Sequence, residues 1–190
     1  MKRILLMAMA STALALGAVT FAQTPAKLLQ AQSEIAFVSK QMGVPVEGVF
    51  KKFDAQISLD PKKPEAGNVV FTIDTGSASL GIPQTDAELP KPEWFNTPKF
   101  PQASFQSGAI KGLGGGRFEV AGKLTIKGQV RDIVVPVSVG QSAGTSVASG
   151  AFTIKRLEFK IGEGDWGDTS IVANEVQVRF KLALTGLGPL

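Results

Sequence analysis

The sequence predicts an all-β fold, an eight-stranded antiparallel up-and-down barrel, and three observations carry this prediction. Apolar and polar residues alternate through residues 118–126, the two-residue period of a strand with one buried face. The same period resumes at residues 133–139 after Gly128-Gln129, as in a β-hairpin. Later segments repeat this pattern, and none of them has the periodicity of a long helix.

The eight predicted strands follow one another with short connections, except for one long connection. The strands are predicted at residues 33–37, 46–59, 69–73, 103–107, 118–126, 133–139, 152–161 and 176–184. Residues 76–101 are rich in proline, which excludes a long strand or helix there. One or two short helical turns are expected in this connection, around residues 85–89 and 91–95. A barrel of eight strands is wide enough either to be filled by side chains or to hold one small ligand.

The N-terminus has the pattern of a cleaved export signal. Lys2 and Arg3 precede an apolar run at residues 4–19, and small residues lead to a predicted cleavage after Ala22. The alternative is a membrane anchor, but the run is short for a span of about 20 residues. We therefore predict an exported protein with a signal peptide at 1–22 and one domain at 23–190.

The composition excludes several classes of function. The chain has no His and no Cys, so catalytic triads with histidine, thiolate metal sites and disulfides are absent. Lys2 and Arg3 supply half of the net charge of +4, and the other basic residues form no stripe, so nucleic acid is not an expected partner. Glu163, Asp165 and Asp168 depart from the spacing of an EF-hand calcium loop, which favours a solvated acidic turn over a metal site.

Residues 74–77, Asp-Thr-Gly-Ser, resemble the signature of aspartic proteases. That chemistry needs two aspartates that share a proton, so a chain with a single Asp-Thr-Gly could act only as a symmetric dimer. The same four residues are also typical of a strand that ends in a turn.

Arg156 also has two possible interpretations. It is either part of a surface pair or extends from a barrel rim toward a polar ligand head group.

Four segments resemble motifs of the YceI-like family, in the family's order. They are VEGVFKKF at 46–53, WFN followed by FPQASF between 94 and 105, VAGKLTIKG at 120–128, and IKRLEFKI at 154–161. The resemblance implies a lipocalin-like barrel in the periplasm that binds a polyisoprenoid or an isoprenoid quinone, or a fatty-acid amide in some members. The chain lacks the His often found in the family's first strand. It also has residues 84–89 in place of an Arg-Asp-His-Leu-like segment.

With this resemblance, we predict a lipid-binding carrier with no catalytic residues, no metal and no cofactor other than a bound isoprenoid lipid. The predicted lipid-binding residues are Phe50, Phe53, Phe71, Ile73, Phe105, Leu124, Ile126, Phe152, Ile154, Phe159, Val178 and Phe180, with Trp94, Phe95 and Phe100 as a lid. The alternatives are the dimeric protease and a ligand-free, filled barrel that acts as an interaction or stress protein. Part of the family occurs beside or fused to cytochrome b561-type membrane proteins, so such a protein and the membrane itself are candidate partners. An outward apolar residue, Val134, makes a homodimer a further candidate.

Overall fold

The computed structural model describes residues 25–190, which form one antiparallel β-sheet with short helical segments in its connections. The predicted signal peptide and its cleavage after Ala22 lie outside these residues. The strands are β1 (Lys27–Leu28), β2 (Glu34–Gln41), β3 (Val44–Phe50), β4 (Phe53–Ser58), β5 (Asn68–Asp74), β6 (Ala78–Ser79), β7 (Gln102–Gly114), β8 (Arg117–Ile126), β9 (Gln129–Ser142), β10 (Thr145–Lys155) and β11 (Glu175–Thr185). The helical segments are the α-helix α1 (Pro83–Asp86) and the 3-10 helices Gln30–Gln32, Pro64–Ala66, Thr75–Ser77, Arg156–Phe159 and Gly164–Gly167. In this described part of the chain, no helix is both long and apolar enough to span a membrane.

The sheet curls into a barrel. Its strands are paired in the order β4-β5-β7-β8-β9-β10-β11-β2-β3-β6, with β1 beside β11. Every pair is antiparallel. The first strand links the two sides of this series, because β1 pairs with β11 while the Ala26 N–H donates to the Ile57 carbonyl of β4 at 2.7 Å. The predicted all-β antiparallel barrel is confirmed.

The predicted number of eight strands is wrong, since the described residues form eleven. Two of the additional strands, β1 and β6, are two residues long and therefore too short to show an alternating pattern. The third arises because the predicted strand at 46–59 is two strands, β3 and β4. The chain turns between them at Lys51 and Lys52, whose N–H groups donate to the Ser77 carbonyl (3.1 Å) and hydroxyl (3.0 Å).

The hairpin predicted at Gly128 joins β8 to β9. Ile126 pairs with Gln129, which leaves Lys127 and Gly128 as a two-residue turn with φ of 49° and 73°. Positive φ at both positions is the type I′ geometry, whose twist matches that of the flanking strands. This turn therefore sets the register of the alternating pattern from which the fold was predicted.

The predicted strand at 152–161 is wrong in its second half. β10 ends at Lys155, and the next residues form the 3-10 helix Arg156–Phe159, followed by Lys160 with φ of 58°. The chain turns here because the Arg156 guanidinium is buried and donates to the carbonyls of Ile161 and Gly162 (2.9 and 2.8 Å). Alternating apolar residues alone gave no indication of this turn.

The long connection contains one short helix and a series of turns. The helix α1 begins two residues earlier than the predicted 85–89 turn, and residues 91–95 form a turn in which Trp94 N–H donates to the Lys91 carbonyl (3.0 Å). The Asp86 carboxylate fixes α1 to the end of β6, accepting hydrogen bonds from the Ser79 hydroxyl (2.7 Å) and the Leu80 N–H (2.6 Å). These two bonds hold the pKa of Asp86 below its usual value.

The buried apolar residues form two clusters along the interior of the barrel. The first contains Ile35, Ile57, Ile110, Phe118, Val120, Val139, Ala148, Leu182 and Leu184, together with Ala26 and Ala55. The second contains Ala78, Leu89, Phe95, Ala103, Leu124, Ile126, Ile154, Phe159 and Ile161. Four partly buried residues pack against both clusters, namely Phe50, Ile73, Phe105 and Val178. The two clusters therefore surround a common central space.

Candidate functional site

An apolar cavity of about 520 Å³ lies inside the barrel, between the two clusters. Residues of β2 to β5 and β7 to β11 line it, so almost every strand contributes to its wall. Sites that hold small molecules typically have volumes of about 300–1,000 Å³ and mostly apolar walls. The interior is therefore hollow, a feature that periodicity alone had left open.

All but three of the predicted lipid-binding residues line this cavity. They are Phe50, Phe71, Ile73, Trp94, Phe95, Phe105, Leu124, Ile126, Phe152, Ile154, Val178 and Phe180. Phe50 contacts its neighbours in an aromatic series, with ring centroids 5.3 Å from Phe37 and 5.8 Å from Phe95. The inward phase predicted for the strands thus agrees with the wall of the cavity, while the binding of a lipid to these residues stays a prediction.

The structure places the other three predicted residues, Phe53, Phe100 and Phe159, outside the cavity wall. Phe53 stacks against Phe71, with centroids 5.8 Å apart, and Phe71 is the ring that faces the cavity. Phe100 packs over the turn at Gly128. Phe159 is 1% exposed and lies beneath the Arg131 guanidinium, 5.9 Å from the ring centroid.

Many wall residues were not among the predicted site residues. The apolar ones include Ile35, Phe37, Ile57, Leu59, Val69, Ile110, Phe118, Val120, Leu182 and Leu184. Their signal was present in the sequence, because each lies in the inward phase of a strand or next to one. Two of the polar ones, Ser39 and Gln41, continue the phase of Ile35 and Phe37 along β2, so the same two-residue step could have identified them.

One end of the cavity is polar and reaches solvent. We call this end the mouth and define it by Gln41, Gln84, Thr85, Glu88 and Trp166. Of the cavity-lining residues, Gln84 and Trp166 are the exposed ones, and the Trp166 ring lies 5.5 Å from the ring of Trp94.

A buried hydroxyl faces the same cavity. Within residues 25–190, Ser39 Oγ is the one buried side-chain nitrogen or oxygen that lacks a hydrogen-bond partner, and Ser39 lines the cavity two residues before Gln41. A buried polar atom normally has a partner. The mouth therefore combines an apolar interior with hydrogen-bonding groups at its end.

Arg156 organises the loop between β10 and β11, which lies beside the mouth. Its side chain is 1% exposed, and its guanidinium donates five hydrogen bonds, all to backbone carbonyls. The acceptors are Ala173 (3.1 Å), Ile161 (2.9 Å), Gly162 (2.8 Å), Trp166 (2.7 Å) and Val172 (2.7 Å). Burial lowers the pKa of Arg156, and the five acceptors favour its charged form. Both interpretations of Arg156 from the sequence are wrong, because its donors hold the loop together and are not directed at solvent or a head group.

Lys127 connects the loop between β10 and β11 to the long connection that contains Pro92. Its ammonium group is almost completely buried and donates to the carbonyls of Pro92 (2.6 Å) and Lys160 (2.5 Å) and to Glu163 Oε2 (3.1 Å). The turn between β8 and β9, the long connection and the loop after β10 therefore meet at one cation. The rim around Trp94 and Trp166 is fixed by charge-assisted hydrogen bonds.

The two acidic motifs noted in the sequence form turns. The Asp74 carboxylate accepts from Gly76 N–H (2.9 Å), and Thr75, 1% exposed, donates its hydroxyl to the Phe100 carbonyl (2.8 Å). In the acidic loop, the Asp168 carboxylate accepts from the N–H and hydroxyl of Ser170, and these bonds lower its pKa. Over residues 25–190 there is no group of three His, Cys, Asp or Glu residues arranged to hold a metal ion.

Together these features define an antiparallel β-barrel with an apolar internal cavity and a polar mouth. The model of the YceI-like domain family matches residues 27–184. The chain therefore belongs to the YceI-like family, as its motifs predicted.

Relatives and solved structures agree with this assignment. A UPF0312 protein of Vibrio cholerae is 31% identical over 153 residues, which cover 78% of this chain and 81% of the relative. The crystal structure of BcnA from Burkholderia cenocepacia is 45% identical, with a TM-score of 0.80, and the match covers 83% of this chain and 99% of BcnA. A polyisoprenoid binding domain from Saccharophagus degradans, implicated in plant cell wall breakdown, shares the fold at 20% identity. Its TM-score is 0.69, and the match covers 84% of this chain and 97% of that domain.

Proposed function

We propose that the protein is a periplasmic carrier that holds a long-chain apolar lipid, a polyisoprenoid or an isoprenoid quinone, inside its barrel. The hollow apolar interior of about 520 Å³ carries this proposal. The signal-like segment at residues 1–22 supports export. The polyisoprenoid binding domain of Saccharophagus degradans, which shares the fold, supports the class of cargo.

Burial of the lipid chain supplies the binding energy. At about 25 cal/mol per Å² of apolar surface, covering a few hundred Å² of lipid contributes on the order of 5–10 kcal/mol before ordering costs. The wall residues are already in place around the cavity, so little reorganisation of the protein opposes binding. A carrier of this kind needs a dry channel and no catalytic group.

The polar end of the cargo lies at the mouth and its apolar chain lies toward the first cluster. Ser39, Gln41, Gln84 and Thr85 offer hydrogen bonds there. The two charged residues among the described cavity-lining residues are already paired: Arg156 with backbone carbonyls and Glu88 with Lys91 (2.6 Å). Because no unpaired cation lines this wall, an uncharged head group such as a hydroxyl or a quinone suits the mouth better than a phosphate.

The rim of the mouth suits a transient contact with the membrane. Met42 (79% exposed), Ile82, Trp166 and Ile171 are exposed apolar residues at or next to it. Met42 and Ile171 are neighbours, since the Met42 N–H donates to the Ile171 carbonyl at 2.8 Å. A cargo that leaves a bilayer through this rim would avoid water. A cytochrome b561-type partner and a homodimer, for which Val134 (58% exposed) is a candidate contact, stay predictions.

Mass spectrometry of lipid extracted from the protein purified from its own host tests the proposed function. The test variant is Ala148→Phe, which adds a ring to the cavity wall, and the matched control is Ala151→Phe, which adds the same ring to the exposed face of β10. We expect a stoichiometric long-chain lipid in the natural protein and in Ala151→Phe, and its loss from folded Ala148→Phe. Absence of lipid from the natural protein, or equal retention by both variants, would contradict the proposal.

A further inference from the structure

Three of the phenylalanine rings that line the cavity lie directly over a glycine of the neighbouring strand. Phe37 on β2 covers Gly48 on β3, Phe105 on β7 covers Gly122 on β8, and Phe180 on β11 covers Gly150 on β10. We propose that these three glycines set the width of the cavity and thereby admit a methyl-branched chain. This inference rests on the proposed function and names the residues that select its cargo.

The phase of the strands shows that each glycine occupies an inward position. Gly48 pairs directly with Phe37, and Gly150 pairs directly with Phe180. Gly122 lies two residues from Leu124, which is the cross-strand partner of Phe105. At such positions the strands otherwise carry apolar side chains that project into the interior. A glycine there leaves room for the ring of the next strand to lie flat against the wall.

The contact distances show how much room each missing side chain provides. A Cβ atom at Gly48 would lie 2.3 Å from Phe37 Cζ, and one at Gly122 or Gly150 would lie 2.6 Å from Cζ of its phenylalanine. An ordinary contact begins at 3.4 Å, so the Phe37 ring would have to move by about 1.1 Å. Because the added atom would point into the barrel, the ring would move into the cavity.

Whether the lipid chain is branched decides how strongly its binding depends on the width of the cavity. A polyisoprenoid carries a methyl branch on every repeating unit, so it needs a wider channel than an unbranched acyl chain. Protein interiors are close-packed and tolerate added volume poorly, so that even one additional methylene group has a measurable energetic cost. Narrowing the cavity therefore excludes a branched chain before it excludes a straight one.

Gly48 is the suitable site for a test. The three atoms nearest to its added Cβ would all belong to side chains, those of Phe37 and Leu80, and both residues line the cavity. Gly122 and Gly150 are less suitable, since a Cβ there would also lie 2.3 Å from the backbone carbonyl oxygens of Gln106 and Pro136. The matched control is Gly140 on β9, where a Cβ would meet nothing within 4 Å.

The test compares Gly48→Ala and Gly140→Ala, each delipidated and then titrated with two probe alcohols. They are phytol, a methyl-branched alcohol, and hexadecan-1-ol, an unbranched alcohol of the same main-chain length. We expect Gly48→Ala to weaken phytol binding about tenfold and hexadecan-1-ol binding less than about threefold. Gly140→Ala should change neither affinity. Equal effects of Gly48→Ala on both alcohols, or no effect on either, would overturn the inference.

Two further measurements keep the outcome decisive. If Gly48→Ala does not fold, its effect is measured in a Phe37→Leu background, where the loss of stability should largely disappear because the displaced ring is gone. An undiminished loss there would contradict the role of the ring. If the natural protein binds neither alcohol, the proposed function fails, and a crystal structure of Gly48→Ala still shows whether Phe37 moves into the cavity.

Discussion

The sharpest stability prediction concerns Arg156→Met, which removes the guanidinium and keeps a long apolar side chain. The substitution leaves five carbonyls without their donor, and the bonds to Ile161, Gly162 and Val172 are themselves buried. A buried acceptor without a partner costs about 1–3 kcal/mol, and the loop can open to hydrate some of the carbonyls. We therefore expect a loss of about 3–5 kcal/mol, a large part of the roughly 5–15 kcal/mol that holds a typical domain folded.

Urea unfolding followed by circular dichroism measures this loss, with Arg179→Met as the control. Arg179 forms an exposed ion pair with Glu47, so its removal should cost less than about 1 kcal/mol. Arg156→Lys keeps the charge but has fewer donors, and its stability should lie between those of the natural protein and Arg156→Met. A free energy of unfolding for Arg156→Met within about 1 kcal/mol of the natural value would refute the role assigned to this residue.

The remaining predictions concern the rim and the Asp-Thr-Gly segment. Lys127→Met should release the loop around Glu163, which would be measured as faster amide exchange in residues 160–167 while exchange in β2 stays the same. Unchanged exchange in residues 160–167 would contradict the role of the Lys127 ammonium group in holding this loop. Because the pKa of Asp86 is lowered in the folded protein, its carboxylate stabilises α1 above pH 3.8, and this contribution is lost as the pH falls through the lower, folded pKa. The protection factor of the Leu80 amide, its exchange rate relative to that of an unstructured peptide at the same pH, should therefore fall only in acid, and Asp86→Asn should abolish this pH dependence. Asp74→Asn should leave the amount of bound lipid unchanged and should cause no loss of peptide-cleaving activity. Loss of a pepstatin-sensitive cleavage in this variant would favour the protease alternative.

The alternating pattern predicted most of the sheet because it reports which face of a strand is dry. It placed β8 and β9 and the inward phase of residues such as Phe105 and Val178. It put the turn between β8 and β9 at Gly128-Gln129, one residue later than the turn at Lys127-Gly128 in the structure. It missed β1 and β6, which at two residues each span a single period and therefore show no repeated alternation. It also joined β3 to β4, because the break at Lys51 depends on a hydrogen bond to Ser77, which is distant in sequence.

The candidate site was predictable in its apolar part and not at its rim. Inward phenylalanines follow from periodicity, but whether they fill the barrel or surround a hollow depends on how the sheet curls. The glycine at position 122 was visibly in phase with its apolar neighbours, yet its partner ring could be identified only from the structure. Arg156 was misjudged because a buried guanidinium satisfied by carbonyls has no local sequence pattern.

A crystal structure of the protein purified from its own host, without added lipid, tests the central claim most directly. The claim predicts continuous elongated density that runs from the mouth at Gln84 and Trp166 down to Leu184, between the rings of Phe105 and Phe180. An interior closed by the protein's own side chains, with the rings of Phe105 and Phe180 turned inward and no room for a ligand, would contradict it.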